Sequence, residues 1–232
     1  MRGRGWKRLG ALACGAALAV GLAGCADTVT TFDATGYVRG VLDETYKGTW
    51  DAVFLGLVDL TEDEAQAAYD DALEEEYQRF CYQFDLRDEY LNDETRESVQ
   101  ELLKDVCAKA SYAVQPAVAL DDTRYAVEVR VRPMDLFLQV REDGLEGCAA
   151  DFQKEYANTD LTVMNDKAKE RFWTRYENDW AQEVVDLCRS KLGTMAYLDV
   201  ESILVLVGPD DQGLYGMGDN DFGNLSALIL PY

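Results

Sequence analysis

Carboxylates are the only groups with catalytic chemistry that this chain has in surplus. It contains 44 aspartate and glutamate residues, 22 lysine and arginine residues, and no histidine. The lack of histidine excludes Ser-His-Asp and Cys-His catalysis, and nearly all ordinary catalytic zinc sites. Two carboxylates suffice for a glycoside hydrolase, so a carboxylate-dependent hydrolase acting on cell-wall sugars is the enzymatic alternative. With so many acids a suitable pair arises by chance, and we expect most of them on solvated helix faces.

Two arginines and two acidic loops are the other polar candidates. Arg130 and Arg132 alternate with valines on the polar face of a predicted strand, where they would anchor an anionic ligand or pair with helix carboxylates. Asp219 and Asp221 are spaced as at the start of an EF-hand loop, but the glycine and glutamate that such a loop requires are missing. Turn formation explains this segment and Asp210-Asp211 better than calcium does. We therefore predict no metal ion and no other cofactor.

Aromatic residues give a further candidate surface, a groove for sugars or peptides. Most of them recur at helical spacing, so packing in the core is the favoured interpretation. The residues concerned are Tyr69, Tyr77, Tyr82, Trp173, Tyr176 and Trp180.

The N-terminal segment has the composition of a secretory signal. Met1–Arg8 holds four basic residues and no acid, and Leu9–Leu22 is an apolar run that is short for a membrane span. The next residues complete the sequence Leu-Ala-Gly-Cys, which ends at Cys25 and resembles the lipobox of bacterial lipoproteins at all four positions.

This resemblance implies cleavage after residue 24 and a diacylglycerol group on Cys25. Residues 1–24 would then be a lipoprotein signal peptide and residues 25–35 a polar tether. The location would be the cell membrane, with the protein lipid-anchored and facing outside the cytoplasm. The alternative is an ordinary signal cleaved nearby, which would leave Cys25 as a thiol.

The cysteines that remain after these assignments are even in number. Of six in the chain, Cys14 lies in the leader and Cys25 in the lipobox. An even number in an exported domain favours disulfides over a redox or metal role, particularly without a Cys-x-x-Cys motif. The members of each candidate pair lie at similar sequence distances from a polar turn, one at 91–94 and the other near 165–166. We predict the pairs Cys81–Cys107 and Cys148–Cys188.

The apolar period along the chain predicts the elements that position these groups. Helical spacing runs through 36–47, 61–84 and 92–110, and again through 134–158 and 165–193, whereas two-residue alternation marks 125–132 as a half-buried strand. Strands are also predicted at 111–120, 197–207 and 214–218. The predicted fold class is α+β, with helical hairpins packed on an antiparallel sheet of about four strands.

The element order also bears on domain organisation. We expect residues 36–232 to form a single extracytoplasmic α+β domain. After the first helix the order is αα-ββ-αα-ββ, which suggests a duplication with halves at 61–134 and 135–232.

The segment from Gly36 to Leu60, "GYVRGVLDETYKGTWDAVFLGLVDL", leads into a capped helix at Thr61. It is similar to the start of a family of uncharacterised cell-surface lipoproteins of Gram-positive bacteria. These combine a lipobox with an exported α+β domain. The resemblance implies an extracytoplasmic, lipid-anchored location and carries no catalytic residue to this chain.

The favoured function is therefore a non-enzymatic binding or envelope-associated module. Its first partner is the lipid bilayer, through the anchor on Cys25, and its second is an unknown surface or wall ligand. A formal net charge of −22 repels nucleic acid and favours a cationic or basic partner.

Overall fold

The α+β class predicted from the sequence is confirmed in the computed structural model, which describes residues 29–211 and 213–232. The leader, the lipobox, Cys14 and Cys25 lie outside the described residues. The helices are α1 (Thr31–Lys47), α2 (Ala52–Val58), α3 (Glu62–Gln83), α4 (Asp93–Cys107), α5 (Leu136–Val140), α6 (Glu146–Tyr156), α7 (Asp166–Leu192) and α8 (Asp219–Ile229). The strands are β1 (Ser111–Val114), β2 (Val118–Ala119), β3 (Tyr125–Arg132), β4 (Glu201–Pro209) and β5 (Tyr215–Met217).

These elements belong to two compact units that alternate along the chain. Unit 1 comprises the described residues up to Ala72, together with Ala110–Pro133 and Asp199–Ile229. Unit 2 comprises Leu73–Lys109, Met134–Leu198 and Leu230–Tyr232. Their bounds differ from the halves 61–134 and 135–232. None of the helices described in either unit is both long and apolar enough to cross a membrane.

Unit 1 is built on an antiparallel sheet with β3 near its centre. The strand order is β1-β3-β4-β5, and β2 pairs with β3 on the same edge as β1. β1 and β2 act as one edge strand interrupted at Pro116, because proline cannot donate a hydrogen bond to the ladder. A proline within a predicted strand suggests an edge strand or a bulge, and β1 and β2 do lie at an edge of the sheet.

One face of this sheet is covered by α1 and α8. The inward residues of β3, from Tyr125 to Val131, are at most 4% exposed, as the alternation predicted. Tyr46 of α1 donates a hydrogen bond of 2.8 Å to Ser226 of α8, which joins the two covering helices. α1 ends at Gly48, whose φ of 56° is left-handed and therefore suits glycine.

Unit 2 is mainly helical, and α7 is its longest element. Glu177 of α7 is 3% exposed and pairs with Arg87, whose Nε lies 2.6 Å from the carboxylate. The Arg87 backbone N–H also donates to Glu177, over 3.1 Å, and the guanidinium lies 4.1 Å from the centre of the Trp173 ring. Between α5 and α6 the chain makes a π-helical turn that contains Gly144.

The ion pair of unit 2, in which Glu177 is buried and Arg87 is half-buried, gives the first prediction. Glu177→Gln removes the charge on the buried partner, while the Arg87 guanidinium that remains is 39% exposed, so we expect a loss of about 1–2 kcal/mol in the free energy of unfolding. Glu155→Gln is the matched control, because Glu155 forms an exposed pair with Arg175 at 3.8 Å and should change stability by less than about 1 kcal/mol. Urea unfolding followed by circular dichroism measures both, and equal effects would contradict the prediction.

Candidate functional site

A groove of about 610 Å³ in unit 1 is the first candidate site. α1 and α2 form two of its walls, and the connection between β1 and β2 forms the third. Most of its lining is apolar or small, with Arg39, Asp43 and Asp51 as the charged members. Its apolar and glycine lining consists of Phe32, Gly36, Gly40, Trp50, Val53, Phe54, Pro116 and Ala117.

Close packing of α1 against α2 shapes the groove. A Cβ atom placed on Gly40 would lie 2.0 Å from Cδ2 of Phe54, so only glycine allows this approach. Asp51 caps α2 by accepting a hydrogen bond of 2.8 Å from the Phe54 backbone. Thr35 of α1 accepts a bond of 2.9 Å from the Ala117 backbone, which holds the third wall in place.

The chain enters unit 1 beside this groove. Thr30 and Asp33 form a capping box at the start of α1. The carbonyl of Val29, a buried residue, accepts a hydrogen bond of 2.5 Å from the Tyr125 hydroxyl at the beginning of β3. Residues 31–35 of the segment 25–35, which the sequence assigned to a tether, belong to α1.

The open face of the sheet is the second candidate site, and it contains Arg130 and Arg132. Both are exposed there, and neither lines the groove. Glu128 accepts hydrogen bonds from Arg130 (3.0 Å) and from Ser202 (2.8 Å), which lower the pKa of its carboxyl. Leu204 and Leu206 lie on the same face and are 65% and 52% exposed.

The two carboxylates that line the groove both make structural contacts. In the groove, Asp43 is occupied by Lys47 and Tyr112, each at 2.8 Å, and Asp51 is occupied as a helix cap. Burial raises the pKa of Glu44 to about 7, but Glu44 does not line the groove. No specific observation at these two sites therefore supports the hydrolase alternative.

The acidic loops near the C-terminus form secondary structure. Asp219 and Asp221 lie in the first turn of α8, and Asp221 accepts a hydrogen bond of 2.9 Å from the Leu206 backbone. Asp210 accepts from the Leu214 backbone within the turn between β4 and β5. Within the described part of the chain, no group of three or more histidine, cysteine or acidic side chains is arranged to hold a metal ion.

The predicted aromatic residues do not converge on one groove. Tyr77 is fully buried, whereas Tyr82 is 81% exposed. Trp173 and Tyr176 contact each other with ring centres 5.6 Å apart, and Trp180 contacts Phe152 at 5.2 Å, all within unit 2. Packing, the favoured interpretation, accounts for this cluster.

All four cysteines in the described residues are free thiols, so the structure gives the predicted disulfides no support. Cys81 lies close to the end of α3, whereas Cys107 is the last residue of α4. The prediction assumed that the two cysteines are equidistant from the connection between α3 and α4. In the structure Cys81 lies near this connection, whereas Cys107 lies at the far end of α4. Cys148 lies 3.8 Å from Glu183, five residues before Cys188 and more than one helical turn away. The pairs Cys81–Cys107 and Cys148–Cys188 stay predictions.

The groove itself was missed from sequence. Its signal was present in Gly36 and Gly40, one helical turn apart on α1, together with large apolar residues on both sides of Asp51. The pattern within α1 does not indicate which neighbour these glycines face, so it does not by itself predict a groove.

Comparison with known proteins identifies a related fold. No protein-family model matches the chain, and no curated protein matches it. Among solved structures it is similar to the "putative lipoprotein (ycdA)" of Bacillus subtilis, with a TM-score of 0.52 and 12% identity. The match covers 86% of this chain and 56% of that chain. At this identity the similarity shows a shared fold, and this chain spans little more than half of the YcdA chain.

Glu44 gives the second prediction, on pH dependence. Its Oε1 atom has no hydrogen-bond partner in the described structure, and its folded pKa of about 7 exceeds the ordinary 4.5. Since the folded state binds the proton more tightly, the stabilisation is complete below pH 4.5 and is lost as pH rises through 7. Glutamine cannot ionise, so Glu44→Gln should raise the free energy of unfolding more at pH 8 than at pH 4. We expect the difference between its effects at the two pH values to be roughly 1–3 kcal/mol.

Urea unfolding at several pH values measures this difference. Glu97→Gln, at an exposed position on α4, is the control and should follow the wild-type profile. A Glu44→Gln effect that is constant across this pH range would contradict the assignment.

Proposed function

We propose that the protein is a membrane-anchored extracytoplasmic lipoprotein that acts as a non-enzymatic binding module. The observation that carries the proposal is the position of Cys25. It completes a lipobox-like sequence and lies only four positions before Val29, which is buried in unit 1 and bonded to Tyr125. A lipid on Cys25 would thus attach almost directly to unit 1.

The fold comparison supports this proposal. YcdA, which shares the fold, is named as a lipoprotein. The resemblance of residues 36–60 to Gram-positive surface lipoproteins points the same way. Signal cleavage after Gly24 and diacylglycerol on Cys25 are parts of the proposal.

The open sheet face is the proposed partner-binding surface. It combines the cations Arg130 and Arg132 with the exposed apolar residues Leu204 and Leu206. Such a face suits a surface or wall ligand that has both an acidic group and apolar atoms. The net charge of −22 also favours basic groups in the same partner, outside this face.

The anchor is tested by metabolic labelling with an alkyne-bearing fatty acid in a bacterium that processes lipoproteins. Wild-type protein should carry the label and sediment with membranes. Cys25→Ala should lose both properties, because the acylated thiol is absent. Cys14→Ala is the matched control and should behave as wild type, since Cys14 lies in the predicted leader. Label retained on Cys25→Ala would refute the lipid anchor.

The binding surface is tested by co-sedimentation of the protein with purified wall fragments. We expect Arg130→Ala/Arg132→Ala to weaken binding about tenfold, because two charged hydrogen bonds are lost. Arg171→Ala/Arg175→Ala removes the same charge from exposed positions of unit 2 and serves as control. Equal binding by wild type and both variants would rule out the sheet face as the ligand site.

A further inference from the structure

The groove of unit 1 has an apolar rim beside the point where the chain enters. Phe32 and Val53 line the groove, yet they are 73% and 54% exposed. Trp50 also lines the groove and is half-buried. We call Phe32, Trp50 and Val53 the groove rim. All three line one groove, so the rim is a continuous surface.

The length of chain before the rim limits how far it can lie from a lipid anchor. Val29 is fixed to Tyr125 through its carbonyl and is buried. Cys25 is four residues earlier, and four residues span at most about 14 Å when fully extended. This step rests on the lipid anchor proposed above. With Cys25 in the bilayer, the entry point of unit 1 lies at the membrane surface.

The chemistry of the rim matches the interface of a bilayer. Transfer of exposed aliphatic and phenyl groups from water into the membrane interface lowers the free energy, and tryptophan favours the level of the lipid headgroups. Arg39 also lines the groove and is exposed, which places a cation where lipid phosphates would lie. Of the groove carboxylates, Asp43 is paired with Lys47 at 2.8 Å and Asp51 caps α2.

We propose that the groove rim inserts into the interface of the lipid bilayer, so that unit 1 rests on the membrane with its groove facing the lipid. The anchor and the rim then form two contacts with the same bilayer. A second weak contact becomes effective because the first holds it at high local concentration.

Trp50 provides a native probe for this contact. Purified lipidated protein is placed in vesicles of phosphatidylcholine brominated on its acyl chains, because bromine quenches tryptophan only at close range. Part of the tryptophan emission of the wild type should be quenched, and that part should be absent in Trp50→Phe. The mature protein's other tryptophans, Trp173 and Trp180, lie in unit 2.

A second pair of variants separates insertion from anchoring. Phe32→Ser/Val53→Ser should still float with the vesicles but lose the quenching of Trp50. Tyr82→Ser/Val163→Ser likewise replaces one aromatic residue and one valine with serine, at positions of unit 2 that are 81% and 79% exposed, and should retain wild-type quenching.

The outcomes distinguish the two proposals. Wild-type protein that floats with vesicles while Trp50 remains unquenched would overturn the membrane contact and leave the anchor intact. Protein that does not float at all would overturn both. Loss of quenching in the rim variant, with floating unchanged, would support the contact.

Discussion

The structure of unit 1 depends on the alternation of side chains along β3. Its inward residues, from Tyr125 to Val131, are buried beneath α1 and α8, and its outward residues are left on an open face. Because β3 pairs with β1, β2 and β4, its register sets the register of the sheet. A shift of one residue would place Arg130 and Arg132 in the core. The covered face and the open face are thus both consequences of one eight-residue strand.

Two buried glutamates show two ways of offsetting the free-energy cost of placing a carboxylate in the interior. Glu177 of unit 2 forms an ion pair with Arg87 and accepts a further hydrogen bond from the Arg87 backbone. Glu44 of unit 1 has no such partner at Oε1, and burial raises its pKa instead. A charged group in the interior must be paired or neutralised. The second arrangement makes stability depend on pH, because the stabilisation is lost as the pH rises through 7.

Local signals in the sequence predicted the helices and strands well. Contacts between segments that are distant in the sequence were predicted less well. The capping box of Thr61 and Glu64 and the valine alternation of β3 are properties of short segments, and both are confirmed. The groove depends on α1 meeting α2 at Gly40, a contact that the periodicity of either helix alone does not specify. The cysteine pairing assumed symmetric helical hairpins, whereas Cys81 and Cys107 lie at non-equivalent positions relative to the connection.

The two surfaces of unit 1 suit two different neighbours because β3 separates them. The groove lies on the side of the sheet that α1 covers, because residues of α1 form one of its walls. Arg130 and Arg132 lie on the opposite, open face. A bilayer that contacted the groove rim would therefore leave the open face uncovered. Such an arrangement would let the proposed module bind a ligand without leaving the membrane.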